Sequence, residues 1–237
     1  METTATLPSP RARSRASVPT LENGDRLTRA EFERRYAALP HLKKVELIEG
    51  IVHMPSPVHF SKHARPHAQL IGWLHHYEAT TPAVEIADNA TVHLDLDNEP
   101  QPDALLRILP KAGGQTRDSA DDYVEGAPEL VAEIASSSAS YDLHEKKRAY
   151  RRNGVREYLV WLVDEERVEW WESREGEYVN LPSEDALLKS RIFPGLWLDA
   201  TALVGGQSAR VLAQLQRGLA TEEHSAFAAA LRSRLGS

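Results

Sequence analysis

The chain of 237 residues contains no cysteine, which excludes disulfide bonds and thiolate metal sites. This absence is compatible with the cytoplasmic location that we expect. No apolar run approaches the roughly 18 residues of a membrane span, so no integral membrane segment is predicted. Excess positive charge is absent as well, because the formal net charge is −7. Any contact with nucleic acid must therefore depend on local basic patches or on a bridging metal ion.

Composition divides the chain into three parts. Residues 1–24 are rich in Pro, Ser, Thr and Arg, which predicts a disordered N-terminal arm. Residues 25–204 alternate strand-like runs with helical patterns and include a strand–helix–strand unit, which predicts an α/β domain. Residues 205–237 follow Gly205-Gly206 and are predicted to form a C-terminal helical extension.

Two local patterns have clear ends. Residues 45–54 are typical of a β-hairpin with its turn at Glu49-Gly50. Further along, Asp142 has the features of a helix N-cap, Glu145 would complete a capping box with it, and Gly154 is suited to the C-terminal end of the same helix.

Acidic residues inside apolar runs are the strongest chemical signal. Asp103 follows Pro102 at the start of one strand-like run, and Glu133 lies within the run 130–135. A buried carboxylate is costly unless it is paired or binds a metal ion. Two carboxylates that hold Mg²⁺ or Mn²⁺ would suit phosphodiester hydrolysis. The alternative is an ordinary buried ion pair with a lysine.

Helical spacing selects the lysine. With 100° per residue, Lys146 and Tyr150 fall on the apolar side of the helix that follows Glu133, whereas Lys147 lies at its edge. An inward lysine near an inward glutamate fits either a catalytic group or a structural ion pair.

Several short motifs occur in a fixed order along the chain: Glu46-Leu-Ile-Glu-Gly50, Pro57-Val-His59, Pro102-Asp103, Pro128-Glu-Leu-Val-Ala-Glu133-Ile, Asp142-Leu-His-Glu-Lys146-Lys-Arg-Ala-Tyr150, Gly154-Val-Arg-Glu-Tyr158-Leu-Val-Trp-Leu-Val-Asp164 and Pro194-Gly195-Leu196. Together they resemble the bacterial restriction endonuclease family called Uma-two, a branch of the PD-(D/E)xK nuclease superfamily. The resemblance covers roughly residues 25–204.

This resemblance implies a restriction-endonuclease-like fold, a mixed sheet flanked by helices, in which Asp103 and Glu133 bind the metal ion and Glu46 contributes. The superfamily's lysine usually follows the acidic residue by two positions on the same strand, where this chain has Ala135. The resemblance therefore implies that Lys146 has taken over this role from the helix. His59 matches a family position near the site.

Two further groups of residues have open interpretations. The basic run either contacts DNA phosphates or forms a solvated helix face, and its candidates for phosphate contact are Lys147, Arg148, Arg151 and Arg152. His59, His63 and His67 recur every four residues, a spacing that can bind zinc. Pro66 disturbs that turn, so polar surface histidines are preferred over a zinc hydrolase.

The sequence thus predicts a Mg²⁺- or Mn²⁺-dependent endonuclease that acts on DNA, with Asp103, Glu133, Lys146 and Glu46 at the catalytic site. Asp142 and Tyr150 would support the helix that carries Lys146. A non-catalytic nucleic-acid-binding or regulatory protein on the same fold is the alternative. Because cutting both strands of a duplex favours two sites, a homodimer is compatible with the prediction.

Overall fold

The computed structural model describes residues 18–54 and 57–236. Its strands are β1 (Glu46–Ile48), β2 (Ile51–His53), β3 (Val84–Asp88), β4 (Val92–His93), β5 (Ala104–Ile108), β6 (Arg117–Asp118), β7 (Val124–Glu125), β8 (Leu130–Ala135), β9 (Glu157–Leu162), β10 (Arg167–Arg174), β11 (Glu177–Asn180), β12 (Ser183–Glu184), β13 (Leu187–Lys189) and β14 (Trp197–Asp199). The α-helices are α1 (Arg29–Tyr36), α2 (Arg65–Glu78), α3 (Ala139–Tyr141), α4 (Lys147–Asn153), α5 (Ala200–Val204), α6 (Ser208–Leu219) and α7 (Glu222–Leu235).

A six-stranded mixed sheet organises the fold, in the order β11-β10-β9-β8-β5-β3. β8 and β9 run parallel, and every other neighbouring pair in this sheet is antiparallel. The helical segment 139–153 connects the two parallel strands, as a parallel pair requires. The predicted mixed sheet flanked by helices is confirmed.

Alternating side chains divide the core between the two faces of the sheet. On one face, Ala132 and Ile134 of β8 pack with Trp73 of α2 and Leu215 of α6. On the other face, Val131 and Ala135 pack with Tyr150 of α4, among others. The helices after Gly205-Gly206 therefore contribute to the main core.

The N-terminal part forms a smaller cluster around Phe32 of α1 and Leu47 of β1. Leu21 is buried in this cluster, and the Gly24 N–H donates to the Val52 carbonyl at 2.8 Å. The packed part of the chain therefore begins no later than Leu21, before the domain boundary predicted at residue 25. Residues 1–17 of the predicted arm lie outside the described residues.

The hairpin β1–β2 has its turn at Glu49-Gly50, as predicted, with both residues at positive φ. The predicted start of the helix after β8 is wrong. Helical structure begins at Ala139, and Asp142 lies inside it, at the first residue of a π-helical turn, Asp142–Lys146. Its carboxylate accepts a bond from Ser138 Oγ at 2.6 Å and caps no N–H. Gly154 ends α4 in the left-handed conformation, as predicted.

No helix in the described part of the chain is long and apolar enough to cross a membrane.

Candidate active site

Strand pairing brings Asp103 and Glu133 together. β5 and β8 are antiparallel with Ala104 opposite Ala132, so one further pair in this register places Asp103 opposite Glu133. The Asp103 N–H lies 3.3 Å from Glu133 Oε2, and the Ile134 N–H donates to Asp103 Oδ2 at 2.8 Å. Both carboxylates are almost fully buried. They are held on the face of the sheet that carries the segment 139–153.

Lys146 reaches Glu133 from that helical segment. Its Nζ lies 2.9 Å from Glu133 Oε1, 2.9 Å from Glu46 Oε1 and 3.8 Å from Asp142 Oδ1. Tyr150, one turn later, donates its hydroxyl to Glu133 Oε1 at 2.9 Å. Lys146 is only 3% exposed, so it points inward as its helical position predicts. One buried ammonium group is thus shared by three buried carboxylates.

The pKa values reflect this imbalance of charge. Burial alone would lower the pKa of Lys146, but Glu133, Glu46 and Asp142 outweigh it and raise that pKa well above its ordinary value. Burial raises the pKa of Glu133, against the effect of Lys146 and with the help of Asp103. Burial likewise raises the pKa of Asp142 to about 6. These carboxylates therefore favour the charged form of Lys146 in this arrangement.

Lys44 and His63 both contact Asp103, and neither contact was predicted from the sequence. Lys44 Nζ lies 2.6 Å from Asp103 Oδ1 and also donates to Asn89 Oδ1 at 2.8 Å. His63 Nε2 lies 3.2 Å from Asp103 Oδ2. Burial would raise the pKa of Asp103, but the His63 contact and Lys44 lower it below its usual range. The same carboxylates raise the pKa of Lys44 against the effect of its burial.

These side chains line one cavity of about 320 Å³. The predicted site residues on its wall are Glu46, His59, Asp103, Glu133, Asp142 and Lys146. His59 is exposed at the wall, whereas Tyr150 lies behind Glu133. Lys44 and His63 line the cavity as well.

The four basic residues predicted to contact phosphates are not among those that line this cavity. Lys147 Nζ lies 3.5 Å from the centre of the Trp171 ring. Arg151 pairs with Glu177 at 2.6 Å, and Arg152 with Glu49 at 3.1 Å and Asp95 at 3.4 Å. Arg148 is exposed. The helix face is thus partly neutralised by acidic residues from other segments.

The histidines differ from the predicted surface residues. His63 and His67 are half-buried, and both contact Asp103: His63 through the carboxylate, His67 through the backbone carbonyl at 2.7 Å. They share a helix face as their spacing predicts, but that face is turned towards the acidic site. Among the described residues they do not join a third ligand in a group compact enough for one ion.

The donor chemistry fits a divalent cation. Asp103 and Glu133 offer hard carboxylate oxygens on one cavity wall, and Mg²⁺ needs few protein ligands because it keeps several waters. Asp103, Glu133 and Glu46 do not form a three-ligand group within 4.8 Å among the described residues. Instead, the ammonium groups of Lys44 and Lys146 occupy cation positions beside these carboxylates. Lys44 is the more accessible of the two, because its side chain is 28% exposed whereas that of Lys146 is 4% exposed.

The sequence carries no local signal for Lys44. It precedes Glu46 by two positions, but its φ is 52° and β1 begins only at Glu46, so the alternation of a strand does not fix the direction of its side chain.

Comparison with known proteins identifies a matching family and a similar solved structure. A family model described as "Putative restriction endonuclease", named Uma2, matches residues 29–201. A crystal structure described as that of a putative nuclease belonging to DUF820, from Anabaena variabilis ATCC 29413, is similar with a TM-score of 0.53 and 16% identity. The match covers 75% of this chain and 99% of that chain. At this identity the similarity concerns the fold, and it confirms the nuclease-like architecture. No curated protein matches the chain.

Proposed function

The chain belongs to the Uma2 family of putative restriction endonucleases, and from that premise we propose that it is a divalent-metal-dependent endonuclease that hydrolyses DNA phosphodiester bonds. The observation that carries this proposal is the charge of the cavity wall. Among the described residues, Glu46, Asp103, Glu133 and Asp142 form ion pairs with two ammonium groups, those of Lys44 and Lys146. With all four carboxylates ionised, the wall lacks two positive charges, which one divalent cation would supply.

Asp103 and Glu133 would hold this cation, Mg²⁺ or Mn²⁺, and Glu46 would assist from β1. When bound, the cation neutralises charge on the phosphoryl group and provides an activated water. The antiparallel pairing of β5 and β8 holds these two carboxylates opposite each other.

Lys146 would act as a fixed positive charge. Its pKa is raised well above the ordinary value, so it would stabilise negative charge that develops in the transition state and orient the attacking water, without acting as a base. Tyr150 and Asp142 would keep it in place, because each contacts Glu133 or Lys146 directly. His63 Nε2 donates to Asp103 Oδ2 at 3.2 Å and would help to orient this carboxylate.

DNA phosphates would approach over the exposed rim of the cavity, where His59 and Lys62 lie. Arg148 would add a phosphate contact from α4, because its side chain is exposed. Lys147, Arg151 and Arg152 would contribute only after leaving the partners described above.

Cleavage of supercoiled plasmid and of single-stranded DNA, with Mg²⁺, Mn²⁺ or EDTA, tests the proposal. We expect metal-dependent cutting by the wild type and a loss of at least about 100-fold in Asp103→Asn and Lys146→Met. Asp118→Asn and Lys111→Met are the matched controls, because Asp118 is an exposed carboxylate that pairs with Arg107 and Lys111 is an exposed lysine that does not line the cavity. Both controls should cut as the wild type does. Cutting that survives Asp103→Asn would contradict the assigned site.

A non-catalytic DNA-binding or regulatory protein is the second candidate. It is favoured by the closed arrangement of Glu133, Lys146 and Tyr150, in which the buried groups already satisfy one another. Thermal unfolding separates the two candidates. Mg²⁺ should raise the melting temperature of the nuclease with the logarithm of its free concentration above the Kd, and Asp103→Asn should abolish the shift. A binding protein with a purely structural ion pair should show no shift.

A further inference from the structure

A second group of potential metal ligands lies outside the cavity described above. Glu33 of α1, His93 of β4 and Glu99 converge where the N-terminal helix meets the segment that leads to Asp103. His93 Nε2 lies 3.8 Å from Glu33 Oε1 and 3.7 Å from Glu99 Oε2. All three ligand atoms lie within 4.8 Å of one another, and no other such group occurs in residues 18–54 and 57–236.

Two of these atoms are buried without a hydrogen-bond partner. Glu99 is 4% exposed and the His93 side chain 10% exposed, yet Glu99 Oε2 and His93 Nε2 accept and donate no bond within the described chain. Buried polar atoms in folded proteins are nearly always paired, so each of these two requires an explanation. Burial, then the charge and the side-chain contact of Glu33, raise the pKa of Glu99 to about 8.

The distances suit a small cation. Two ligands at about 2.1 Å from a tetrahedral Zn²⁺ are about 3.4 Å apart, and the observed separations exceed this by only a few tenths of an ångström. An ion placed among them would partner both orphaned atoms at once. One imidazole nitrogen with two carboxylate oxygens is a donor set for zinc and related divalent transition metals, and it differs from the all-oxygen set at Asp103 and Glu133.

The surroundings leave room for a further ligand. A cavity of about 330 Å³ adjoins His93 and is also lined by Gln115, Arg117 and Glu125, so water can reach the open side. The Tyr123 ring lies against the imidazole, with 4.9 Å between ring centres. Arg29 Nε lies 3.1 Å from Glu33 Oε1 and would compete for that oxygen, but a carboxylate has a second oxygen through which the pair can persist.

We propose that Glu33, His93 and Glu99 bind a divalent transition-metal ion of the zinc type. The ion would tie α1 to the segment before β5. Glu99 forms an isolated bridge with Leu47, next to Glu46, and precedes Asp103 by four residues. The bound ion would therefore fix the position of two residues of the acidic cavity from outside it.

Zinc retention by the full-length protein tests this site. After loading with Zn²⁺ and exhaustive dialysis, atomic emission should find one equivalent more in the wild type than in Glu99→Gln or Glu33→Gln. Glu33→Gln is the safer variant, since its side chain is 41% exposed and its replacement should not disturb folding. Each substitution should weaken Zn²⁺ binding at least about tenfold. At about 100 times the Kd, free Zn²⁺ should raise the melting temperature of the wild type by about 5–10 °C.

Two controls separate this site from the acidic cavity. Glu125→Gln removes a nearby carboxylate that is not one of the three ligands, and Asp103→Asn removes a ligand of the cavity. Both should keep the additional equivalent of zinc. The proposal is overturned if Glu99→Gln and Glu33→Gln, with circular dichroism spectra like that of the wild type, retain as much zinc as the wild type. It is also overturned if Asp103→Asn alone removes the zinc, or if the wild type retains none.

Discussion

Replacing Lys146 by methionine removes the ammonium group that Glu46, Glu133 and Asp142 share, while most of the aliphatic stem remains. Removal of one partner from a buried ion pair costs about 3–5 kcal/mol, because the remaining charge stays buried without compensation. Here the loss affects three carboxylates, each less than 9% exposed. We therefore expect Lys146→Met to lie at the upper end of that range.

Urea unfolding at neutral pH measures this cost. With a slope of about 2–3 kcal/mol per molar urea, the unfolding midpoint should fall by about 1.7–2.5 M. Lys147→Met is the matched control. It removes a neighbouring ammonium that lies over the Trp171 ring, an interaction worth about 1 kcal/mol or less at a partly exposed site.

The cost should increase with pH. Loss of the ammonium raises the folded-state pKa values of Glu133 and Asp142 further above their values in the unfolded chain. A carboxyl group with a raised folded-state pKa contributes stability at low pH that is lost as pH rises through that pKa. The difference in unfolding free energy between wild type and Lys146→Met should thus be smallest near about pH 5 and largest above about pH 8.

A double variant completes the test. Glu133→Gln removes one of the uncompensated charges and should recover part of the stability that Lys146→Met loses, so the two substitutions should be strongly non-additive. The reasoning is refuted if Lys146→Met costs no more than Lys147→Met, or if its cost does not change with pH. Either result would mean that water or protonation already compensates the three carboxylates in the wild type.

Three further predictions concern other parts of the chain. Burial raises the pKa of Glu157 to about 7 from 4.5. The contribution of Glu157 to the unfolding free energy should therefore fall by about 3 kcal/mol as the pH rises between these two values. Glu157→Gln should remove this pH dependence in a series of unfolding curves. Arg148→Gln should lower the slope of log K for DNA against log salt by about 1, as expected when one phosphate contact is lost; an unchanged slope would exclude the contact. Leu215→Ala should cost about 2–5 kcal/mol in a single unfolding transition, because Leu215 is fully buried in the main core; a separate, early transition would instead make 205–237 an independent extension.

Local patterns predicted the parts of the fold that depend on neighbouring residues. The hairpin turn at Glu49-Gly50 follows from residues that tolerate positive φ. The inward direction of Lys146 and Tyr150 follows from their spacing of four, which holds even though the helix starts earlier than predicted and contains a π-helical turn. The error at Asp142 arose because an aspartate before an apolar run is typical of an N-cap, whereas here its carboxylate pairs with Ser138 and Lys146.

Tertiary contacts limited what the sequence could predict about the site. Lys44 reaches Asp103 across 59 positions of sequence, and His63 does so across 40. No local period encodes which carboxylate a histidine face will meet, so the spacing of His63 and His67 predicted a shared face and not its partner. The proximity of Glu33, His93 and Glu99 was likewise not predictable from local sequence, because these residues come from a helix, a strand and a loop.

The position of Lys146 on a helix has a structural explanation. Ala135 shares the face of β8 that carries Glu133, since residues two apart in a strand point the same way. Ala135 is fully buried in the same cluster as Tyr150, so a long charged side chain at 135 would displace the segment 139–153. The small alanine lets this segment approach the sheet closely enough for Lys146 and Tyr150 both to reach Glu133 at 2.9 Å. The same close packing binds the lysine to three carboxylates, so any catalytic role of Lys146 is inseparable from its contribution to stability. Glu133→Gln should restore part of the stability that Lys146→Met loses but none of its cutting, because Glu133 is itself an expected metal ligand.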